Sequence, residues 1–366
     1  MSKLPRRLSL GVVIVTYHSG REAVDCAASL LASARGEGQD DGLAVRVVIV
    51  DNASGDDTVA EVQSWASGEA AYEVPGDVPF KMTPPPVPLT LAEGGPDLAA
   101  APEADVVLIN SGGNLGFAGG VNIGLKHLAQ YEDVDHFWVL NPDSMVPPGT
   151  VAALAAGIAA NPGYGLMGGR VVYLEDPDRI QIDGGLLNKR TGVTGNYNLG
   201  QSHAGSAPPT PAELDFITGA SMVASRAFYE AAGPMAEDYF LYYEEVDWAM
   251  RRGAMPLAYC PGLLVYHRGG TAIGSPVFGR TASAFSLYFK HRGRVMFQRR
   301  HNSGAWMTTQ AYSLAQAARQ LLRRSPAGAG AILRASFGLG APASVRARLG
   351  PETAARALGT PLGERS

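Results

Sequence analysis

The segment 238–248 combines acidic and aromatic residues in a way that suits proton transfer. Its carboxylates include Glu244, Glu245 and Asp247, and several aromatic residues precede them. A carboxylate in apolar surroundings has a raised pKa and can accept a hydroxyl proton near neutral pH. If residues 243–252 form a helix, Glu244 and Asp247 lie on one face and Glu245 points elsewhere. The same acidic residues also suit an ordinary helix start, where the helix dipole favours negative charge, so the segment alone leaves both interpretations open.

Asp143 and His267 form a second candidate site. Asp143 follows a hydrophobic run and stands in the loop directly after Asn141-Pro142. A hard divalent cation on a diphosphate takes few ligands from protein, so Asp143 is a candidate ligand. His267 ends the strand-like run 263–266, where a neutral imidazole can complete such a site. Aspartate in a turn is common and most single histidines bind no metal, so each signal is weak by itself.

Two loops have the composition of nucleotide-binding loops. Asp51-Asn52-Ala53-Ser54 follows a buried strand, where a carboxylate can accept hydrogen bonds from a pyrimidine N–H or a ribose hydroxyl; these residues also suit a helix N-cap. The glycine-rich segment 114–122 opens a helix, where the backbone can approach a phosphate. Its spacing is not GxGxxG, which excludes the dinucleotide fingerprint, while a simple glycine-rich turn stays open.

The hydrophobic pattern predicts the sheet that positions these loops. Apolar runs predict strands at 8–15, 45–50, 106–109 and 136–140. Between the first and second of these, and between the third and fourth, helical spacing predicts helices at 21–34 and 119–129. The order strand–helix–strand indicates an α/β fold with a mostly parallel central sheet flanked by helices. Ligands of such sheets bind at the carboxyl ends of the strands, where the candidate residues stand.

We divide the chain into an α/β domain at 8–270, a basic helical region at 271–350 and a tail at 351–366. The basic region is dominated by helices at about 281–300 and 305–323, and the last fifteen residues are predicted to be frayed. Residues 67–104 are rich in Pro, Gly and Ala, which predicts a flexible insertion without a packed element.

The charge is distributed unevenly along the 366 residues, although the net charge is only −4. Residues 1–247 contain 13 Lys and Arg against 32 Asp and Glu, whereas residues 248–350 contain 15 Lys and Arg and no Asp or Glu. This asymmetry indicates an anionic partner, or a basic region that packs beside the acidic domain. Cys26 and Cys260 are the only cysteines, which argues against a disulfide framework and fits a reducing cytoplasm. The sequence offers no run of about 18 uncharged apolar residues to span a bilayer.

Taken in order, these segments resemble the family 2 glycosyltransferases, and within them the bacterial rhamnosyltransferase-like branch. The resemblance covers about residues 8–300 and implies the GT-A fold with a helical C-terminal extension. The resemblance continues at His267 and at 288–294. It is carried by five ordered motifs: Val12-Val13-Ile14-Val15-Thr16-Tyr17, Asp51-Asn52-Ala53-Ser54, Asn114 through Asn122, Asn141-Pro142-Asp143-Ser144 and Glu244-Glu245-Val246-Asp247-Trp248.

The resemblance implies a role for each matching residue. The nucleotide-sugar donor would be held by Thr16, Tyr17, Asp51, Asn114, Gly119, Asn122 and Asn141. Asp143 matches the DXD position and would bind Mg or Mn, and His267 matches a histidine that can join that metal. Glu245 stands where many members have the aspartate that acts as general base, so the choice between Glu245 and Asp247 stays open.

The resemblance also implies an inverting transfer, with dTDP-L-rhamnose favoured as donor and a glycan or lipid-linked acceptor of cell-surface polysaccharide synthesis. Arg292 and Arg294, with Arg299 and Arg300, are predicted to hold an anionic acceptor head. The helix 305–323 is predicted to lie on the bilayer, which would make the protein cytoplasmic and peripheral to the inner face of the membrane.

Rival interpretations are a nucleotidyltransferase, a non-catalytic sugar-nucleotide or glycan-binding protein, and a transferase that uses a UDP-sugar. The first lacks its Gly-rich loop with Lys or Arg after the initial strand, since Thr16-Tyr17-His18-Ser19 stands there. No nucleic-acid-binding module is recognised in the basic region, so nucleic acid is not predicted as a partner.

Overall fold

A computed structural model of the chain describes residues 9–35, 44–268 and 282–359. Twelve strands are assigned within these ranges: β1 (Ser9–Thr16), β2 (Ala44–Asp51), β3 (Leu91–Gly94), β4 (Val106–Asn110), β5 (Val134–Leu140), β6 (Ser144–Met145), β7 (Leu166–Tyr173), β8 (Ile180–Ile182), β9 (Gly185–Asn188), β10 (Val193–Asn196), β11 (Ser221–Ser225) and β12 (Leu257–His267). Eleven α-helices are assigned in the same ranges: α1 (Gly20–Ala34), α2 (Thr58–Ser67), α3 (Gly116–Leu128), α4 (Thr150–Ala160), α5 (Arg226–Ala232), α6 (Glu244–Met250), α7 (Ala284–His301), α8 (Trp306–Leu322), α9 (Pro326–Phe337), α10 (Ala343–Leu349) and α11 (Pro351–Leu358).

The central sheet has the order β3-β4-β2-β1-β5-β11-β7-β12-β6, and β8 pairs with β7. The first five strands pair in parallel, and β11 runs antiparallel between β5 and β7. The predicted α/β class with a mostly parallel sheet is therefore confirmed. Because β1, β2, β4 and β5 are parallel neighbours, their carboxyl ends meet at one edge.

Side chains of β1 alternate between the two faces of the sheet, as a strand requires. Leu10, Val12 and Ile14 belong to the core under α1, α2 and α4, whereas Val13 and Val15 belong to the core under α3 and α6. Helices thus cover both faces. A third cluster lies in the C-terminal helices α7, α9, α10 and α11 and includes Phe289 and Ile332.

Two sequence predictions about loops are wrong. The segment 67–104 was expected to lack a packed element, but β3 adds to the sheet edge in parallel with β4, and Leu89 is buried in the core under α1 and α2. The tail 351–366 was expected to be frayed, but Pro351–Leu358 form α11, with Ala357 buried, and residues 360–366 lie outside the described residues. Their Pro, Gly and Ala content hid short elements that gain stability only from tertiary contacts.

The predicted C-terminal helices agree closely with α7 and α8, and the segment 269–281 at the start of the basic region lies outside the described residues. Cys26 and Cys260 are both buried free thiols. Within the described ranges, no helix combines the length and apolar character needed to cross a bilayer.

Candidate active site

Thr16 and Asp51 end neighbouring parallel strands and lie side by side at the sheet edge. Asp51 is buried, and its carboxylate accepts hydrogen bonds from the backbone N–H of Ser54 at 3.2 Å and from the Ser54 hydroxyl. Thr16 is also buried and donates to the carbonyl of Ser19 at 3.1 Å, while Tyr17 is exposed. The structure brings the three predicted nucleoside residues together. It also gives Asp51 a local role in closing the turn that follows β2.

The capping role that the sequence left open belongs to Asp56 rather than Asp51. The Asp56 carboxylate accepts the backbone N–H of Thr58 at 3.1 Å and the Thr58 hydroxyl at 2.6 Å. The hydrogen bond from the Thr58 hydroxyl is the main reason why the pKa of Asp56 is lowered. Helix α2 therefore begins without using the Asp51 side chain.

The glycine-rich loop between β4 and α3 is fastened to the same edge by Asn52. The Asn52 amide donates to the carbonyl of Gly116 at 2.8 Å and accepts the backbone N–H of Leu115 at 3.4 Å. The Asn114 side chain accepts the backbone N–H of Gly116 at 3.0 Å. Gly116 has φ +73°, and a Cβ there would lie 2.3 Å from the carbonyl oxygen of Phe240. Asn114 thus belongs to a turn that only glycine can make and that Asn52, the residue after Asp51, fastens to the sheet edge.

Gly119 and Asn122, predicted to border the donor, have structural roles instead. Both lie inside α3, where Gly119 is buried and a Cβ would lie 2.4 Å from the Leu115 Cβ. The Asn122 amide donates to the Met235 carbonyl at 2.9 Å and to Glu237 at 2.8 Å, and accepts the Met235 N–H at 2.8 Å. The interior of a helix cannot offer its backbone N–H groups to a phosphate, which corrects this part of the prediction.

Asp143 and His267 meet although 124 positions separate them in sequence, because β12 pairs with β6 and brings His267 opposite Ser144. The His267 Nε2 atom lies 3.0 Å from Asp143 Oδ1 and 3.0 Å from Asn141 Nδ2. On the other side of the ring, Nδ1 lies 2.8 Å from Gln181 Oε1. Burial alone would lower the pKa of His267, but the charge and hydrogen bond of Asp143 outweigh it and raise the pKa.

The Asp143–His267 pair fits a divalent cation. Because Gln181 Oε1 can only accept a hydrogen bond, it assigns a proton to Nδ1 and directs Nε2 toward Asp143. A carboxylate oxygen and an imidazole nitrogen then face each other, an arrangement that a proton or a metal ion stabilises. Within the described residues no cluster of three or more His, Cys, Asp or Glu suits a metal, so protein would supply two ligands. This number matches Mg or Mn that takes its other ligands from a diphosphate and water.

The Glu245 side chain opens into a cavity of about 150 Å³. The residues that line it come from five segments of the chain: Ile182, Thr194, Asn196, Phe216, Thr218, Tyr242, Tyr243, Val246 and Lys290. Glu245 is half-buried. Burial raises its pKa, and the backbone N–H groups at the start of α6 and the charge of Lys290 offset only part of that effect. The carboxylate can therefore take up a proton closer to neutrality than an ordinary glutamate.

Asp247, the other candidate base, is locked in a buried hydrogen-bonded network. Its side chain is 1% exposed and accepts from the Tyr239 hydroxyl at 3.2 Å, Arg251 at 3.0 Å, Arg300 at 3.1 Å and His301 at 2.8 Å. Burial alone would raise its pKa, but the hydrogen bond from His301 and the arginine charges lower it. Asp247 thus stays ionised and faces away from the cavity.

The Asp143–His267 pair and the Glu245 cavity are connected by short stretches of chain. Gln181 contacts His267, and the next residue, Ile182, lines the cavity. On the other side, Thr218 lines the cavity and the carbonyl of Ala220 accepts the backbone N–H of Asn141 at 3.1 Å. The two centres are therefore linked through the strand β8 and through the segment 218–220.

Several residues of this site were missed from the sequence. Gln181, Asn196, Thr218 and Lys290 belong to elements far apart in the chain, and no local spacing marks them. Arg356 of α11 was also missed: its guanidinium donates to the carbonyl of Asn114 at 3.4 Å, which brings α11 to the glycine-rich loop. Only the packing of these elements reveals them.

Arg292 and Arg294, predicted to hold an acceptor phosphate, are buried in α7. Arg292 donates to the carbonyl of Asp238 at 2.8 Å, and Arg294 donates to the carbonyls of Thr191 at 2.6 Å and Thr309 at 3.2 Å. Both guanidinium groups thus tie helices and loops together inside the protein. This corrects the prediction, since α7 turns its arginines toward the domain rather than toward solvent.

The remaining two arginines of this prediction also have protein partners. Arg300 forms ion pairs with Asp238 at 2.7 Å and with Asp247 at 3.1 Å. The Arg299 guanidinium lies 4.7 Å from the ring centroid of Trp306. An anionic acceptor head would have to compete with these contacts, so the four arginines do not form a surface cluster.

Two similar proteins of known activity are glycosyltransferases. The low-salt glycan biosynthesis hexosyltransferase Agl10 of Haloferax volcanii is 26% identical over 197 residues, which cover 52% of this chain and 60% of the relative. An N-acetylglucosaminyl-diphospho-decaprenol L-rhamnosyltransferase of Mycobacterium tuberculosis is 25% identical over 252 residues, which cover 60% of this chain and 77% of the relative. The chain thus matches less than two thirds of the length of Agl10. No protein-family model matches the chain.

Solved structures show the same fold. The mannosyltransferase PcManGT from Pyrobaculum calidifontis, in complex with GDP-Man and Mn²⁺, superposes with a TM-score of 0.50 at 14% identity, covering 92% of this chain and 88% of that one. GalNAc-T7 with UDP, GalNAc and Mn²⁺ also gives 0.50, at 12% identity, over 81% of this chain and 48% of that one. The chain therefore has the GT-A fold, and its resemblance to glycosyltransferases is confirmed.

Proposed function

We propose that the protein is an inverting glycosyltransferase that moves a sugar from a nucleotide donor onto an acceptor hydroxyl. One observation carries this proposal above the others. A carboxylate–imidazole pair suited to a divalent cation is linked, through β8 and the segment 218–220, to a second carboxylate, Glu245, that opens into a cavity. Transfer from a nucleotide-sugar needs these two functions, a centre for the leaving diphosphate and a base for the incoming hydroxyl.

In this proposal the donor lies across the carboxyl ends of β1, β2, β4 and β5. Asp51 and Thr16 stand at the nucleoside end with Tyr17 exposed beside them, and Asn114 borders the nucleotide from the neighbouring loop. Asn141 orients His267 through its side-chain amide. Asp143 and His267 would hold Mg or Mn, which when bound supplies positive charge for the leaving diphosphate.

Glu245 is the base in this mechanism. It takes the proton of the acceptor hydroxyl while the hydroxyl oxygen forms a bond to the anomeric carbon, on the face opposite the breaking bond to the diphosphate. A single displacement of this kind inverts the anomeric configuration and passes through an oxocarbenium-like state. Glu245 is preferred to Asp247 because four donors already occupy the Asp247 carboxylate, which we assign to positioning α6.

The preference for dTDP-L-rhamnose rests on the sequence motifs and on the relative named as an L-rhamnosyltransferase. The acceptor in the name of that relative is N-acetylglucosaminyl-diphospho-decaprenol, which supports a lipid-linked glycan as the acceptor here. Reaction at the cytoplasmic face of a membrane follows from such an acceptor. A UDP-sugar or GDP-sugar donor is the alternative, since solved neighbours hold UDP and GDP-Man.

Thermal stabilisation by a panel of nucleoside diphosphates and nucleotide-sugars, with and without Mg or Mn, tests the proposal. We expect metal-dependent stabilisation by dTDP and dTDP-L-rhamnose, and its loss in Asp143→Ala, because only bound ligands shift the unfolding equilibrium. Asp77→Ala is a matched control, since Asp77 pairs with Arg268 on the surface. Stabilisation by UDP-sugars alone would keep the transferase proposal and assign a UDP-sugar as donor in place of dTDP-L-rhamnose. The absence of stabilisation across the whole panel would refute the transferase proposal.

A further inference from the structure

Helix α8 exposes an apolar stripe to solvent. Met307, Leu314 and Leu321 recur every seven residues and are 82%, 51% and 57% exposed, and Leu322 is 86% exposed. Three exposed alanines lie between them: Ala311, Ala315 and Ala318. This spacing places all seven side chains on one side of an α-helix. Among the described residues, nothing buries this stripe.

The opposite face of α8, which packs against the protein, is mainly polar, and Ala317 is the one apolar residue among its five buried positions. Thr309 and Ser313 are fully buried, and Gln310 and Gln320 are nearly so. The Gln310 amide donates to the Ser336 carbonyl at 3.1 Å, and the Thr309 hydroxyl accepts from the Gln298 amide at 3.2 Å. The helix is thus oriented opposite to an ordinary surface helix, whose apolar side faces the core. Rotation of the helix would bury the leucines but break these hydrogen bonds, so the protein is built to expose the stripe.

Exposed arginines stand at the C-terminal end of the stripe, at positions Arg319, Arg323 and Arg324. Residues 248–350 contain no Asp or Glu, so no carboxylate of this region offsets their charge. The surface of α8 therefore combines apolar side chains with charge of a single sign. An apolar helix face bordered by arginine is the composition of helices that lie in the interface of an anionic membrane.

We propose that α8 is a docking surface for an anionic lipid bilayer. The apolar stripe enters the head-group region and the arginines lie on lipid phosphates. A second copy of the chain fits this surface less well. Parallel symmetric pairing of two such faces would place like-charged arginines together, and antiparallel pairing would place them near Met307 of the other copy, which offers no anionic partner. A bilayer offers both apolar and anionic partners.

Helices α7 and α8 together hold the loop that leads to the Glu245 cavity. The Thr308 hydroxyl donates to the Arg190 carbonyl, and Gln298 and Arg294 of α7 donate to the carbonyls of Lys189 and Thr191. The next strand, β10, carries Thr194 and Asn196, which line the cavity. Docking through α8 would bring this cavity to a lipid-linked acceptor. This last step rests on the proposed function, whereas the docking itself does not.

Co-sedimentation with vesicles tests the docking. We expect the protein to bind phosphatidylglycerol–phosphatidylcholine vesicles at low salt and to bind pure phosphatidylcholine weakly. The double variant Leu321→Ser/Leu322→Ser should lower the partition coefficient roughly tenfold or more by removing apolar contact. The double variant Arg323→Gln/Arg324→Gln should lower the partition coefficient about 25-fold at low salt, or about fivefold per arginine. The decrease should be smaller at high salt, because salt screens the attraction between arginine and lipid phosphate.

The matched control is Leu186→Ser/Leu199→Ser, which replaces two exposed leucines of the acidic domain. All substituted side chains are exposed, so equal melting temperatures will verify that the variants are folded. The control should keep wild-type binding. Wild-type protein that ignores anionic vesicles, or a control that loses as much binding as the α8 variants, would overturn the proposal.

Sedimentation velocity tests the competing occupant. A concentration-dependent oligomer that the α8 serine variant abolishes would assign the stripe to a second copy and overturn the membrane proposal. Stabilisation by donor should be unchanged in every α8 variant. Vesicle binding without any donor stabilisation would therefore refute the transferase function alone, and the reverse result would refute the docking alone.

Discussion

Replacing Glu245 and Asp247 by their amides should produce opposite phenotypes, although the two residues are only two positions apart. Glu245→Gln removes the proposed base and keeps the size of the side chain. We expect kcat to fall by about 10²- to 10⁴-fold, the usual contribution of a positioned general base. Donor stabilisation and the melting temperature should change little, because the Glu245 carboxylate belongs to no buried ion network like that of Asp247.

Asp247→Asn should instead cost stability. Breaking a buried ion pair by removing one partner costs about 3–5 kcal/mol. The arginine partners Arg251 and Arg300 are 29% and 24% exposed, so water partly replaces the lost carboxylate, and the asparagine oxygen keeps one acceptor. We therefore expect a loss of about 2–3 kcal/mol in unfolding free energy, or roughly 5–10 °C in melting temperature.

The assay compares release of nucleoside diphosphate per folded molecule with the melting temperature of each variant. Glu245→Gln should be inactive and stable, and Asp247→Asn should be active at a temperature where it is folded. The acidic limb of the kcat profile should also lie above the range of an ordinary glutamate, because burial raises the pKa of Glu245. An inactive but stable Asp247→Asn, together with an active Glu245→Gln, would refute the assignment.

The stability of the metal-free protein should depend on the protonation of His267. The pKa of His267 is raised in the folded state. Its contribution to the free energy of unfolding is therefore complete at pH values below the pKa of an unfolded histidine, near 6.5, and is lost as the pH rises through the pKa of the folded state. A melting temperature measured against pH should fall over this range in wild type, and a curve for Asp143→Asn that falls equally would contradict the pairing. Gly116→Ala should destabilise by about 2 kcal/mol or more, because a positive φ is combined with a contact to the Phe240 carbonyl. Gly112→Ala is the matched control, because Gly112 has φ +74° but open space around it, and it should cost only about 1 kcal/mol. Equal denaturant midpoints for the two variants would show that the contact with the Phe240 carbonyl adds nothing.

Local sequence sufficed where a residue's position depends on the end of a single strand. Asp51 and Asp143 follow hydrophobic runs, so the pattern predicted the strands and placed both carboxylates at the ligand-binding edge. Parallel pairing follows from the alternation of strands and helices. Short elements such as β3 and α11 escaped prediction, because they gain stability from contacts with distant segments rather than from their own residues.

The sequence by itself determined the α/β class and the edge of the sheet where the candidate residues lie, and it proposed two carboxylates, Glu245 and Asp247, as the base. Tertiary structure alone decided which carboxylate opens into a cavity, because Arg251, Arg300 and His301 come to Asp247 and leave Glu245 facing Thr218 and Lys290. It also turned the arginines of α7 inward and the leucines of α8 outward. Side-chain type and spacing define the faces of a helix, but only the packing of the helix decides which face meets water.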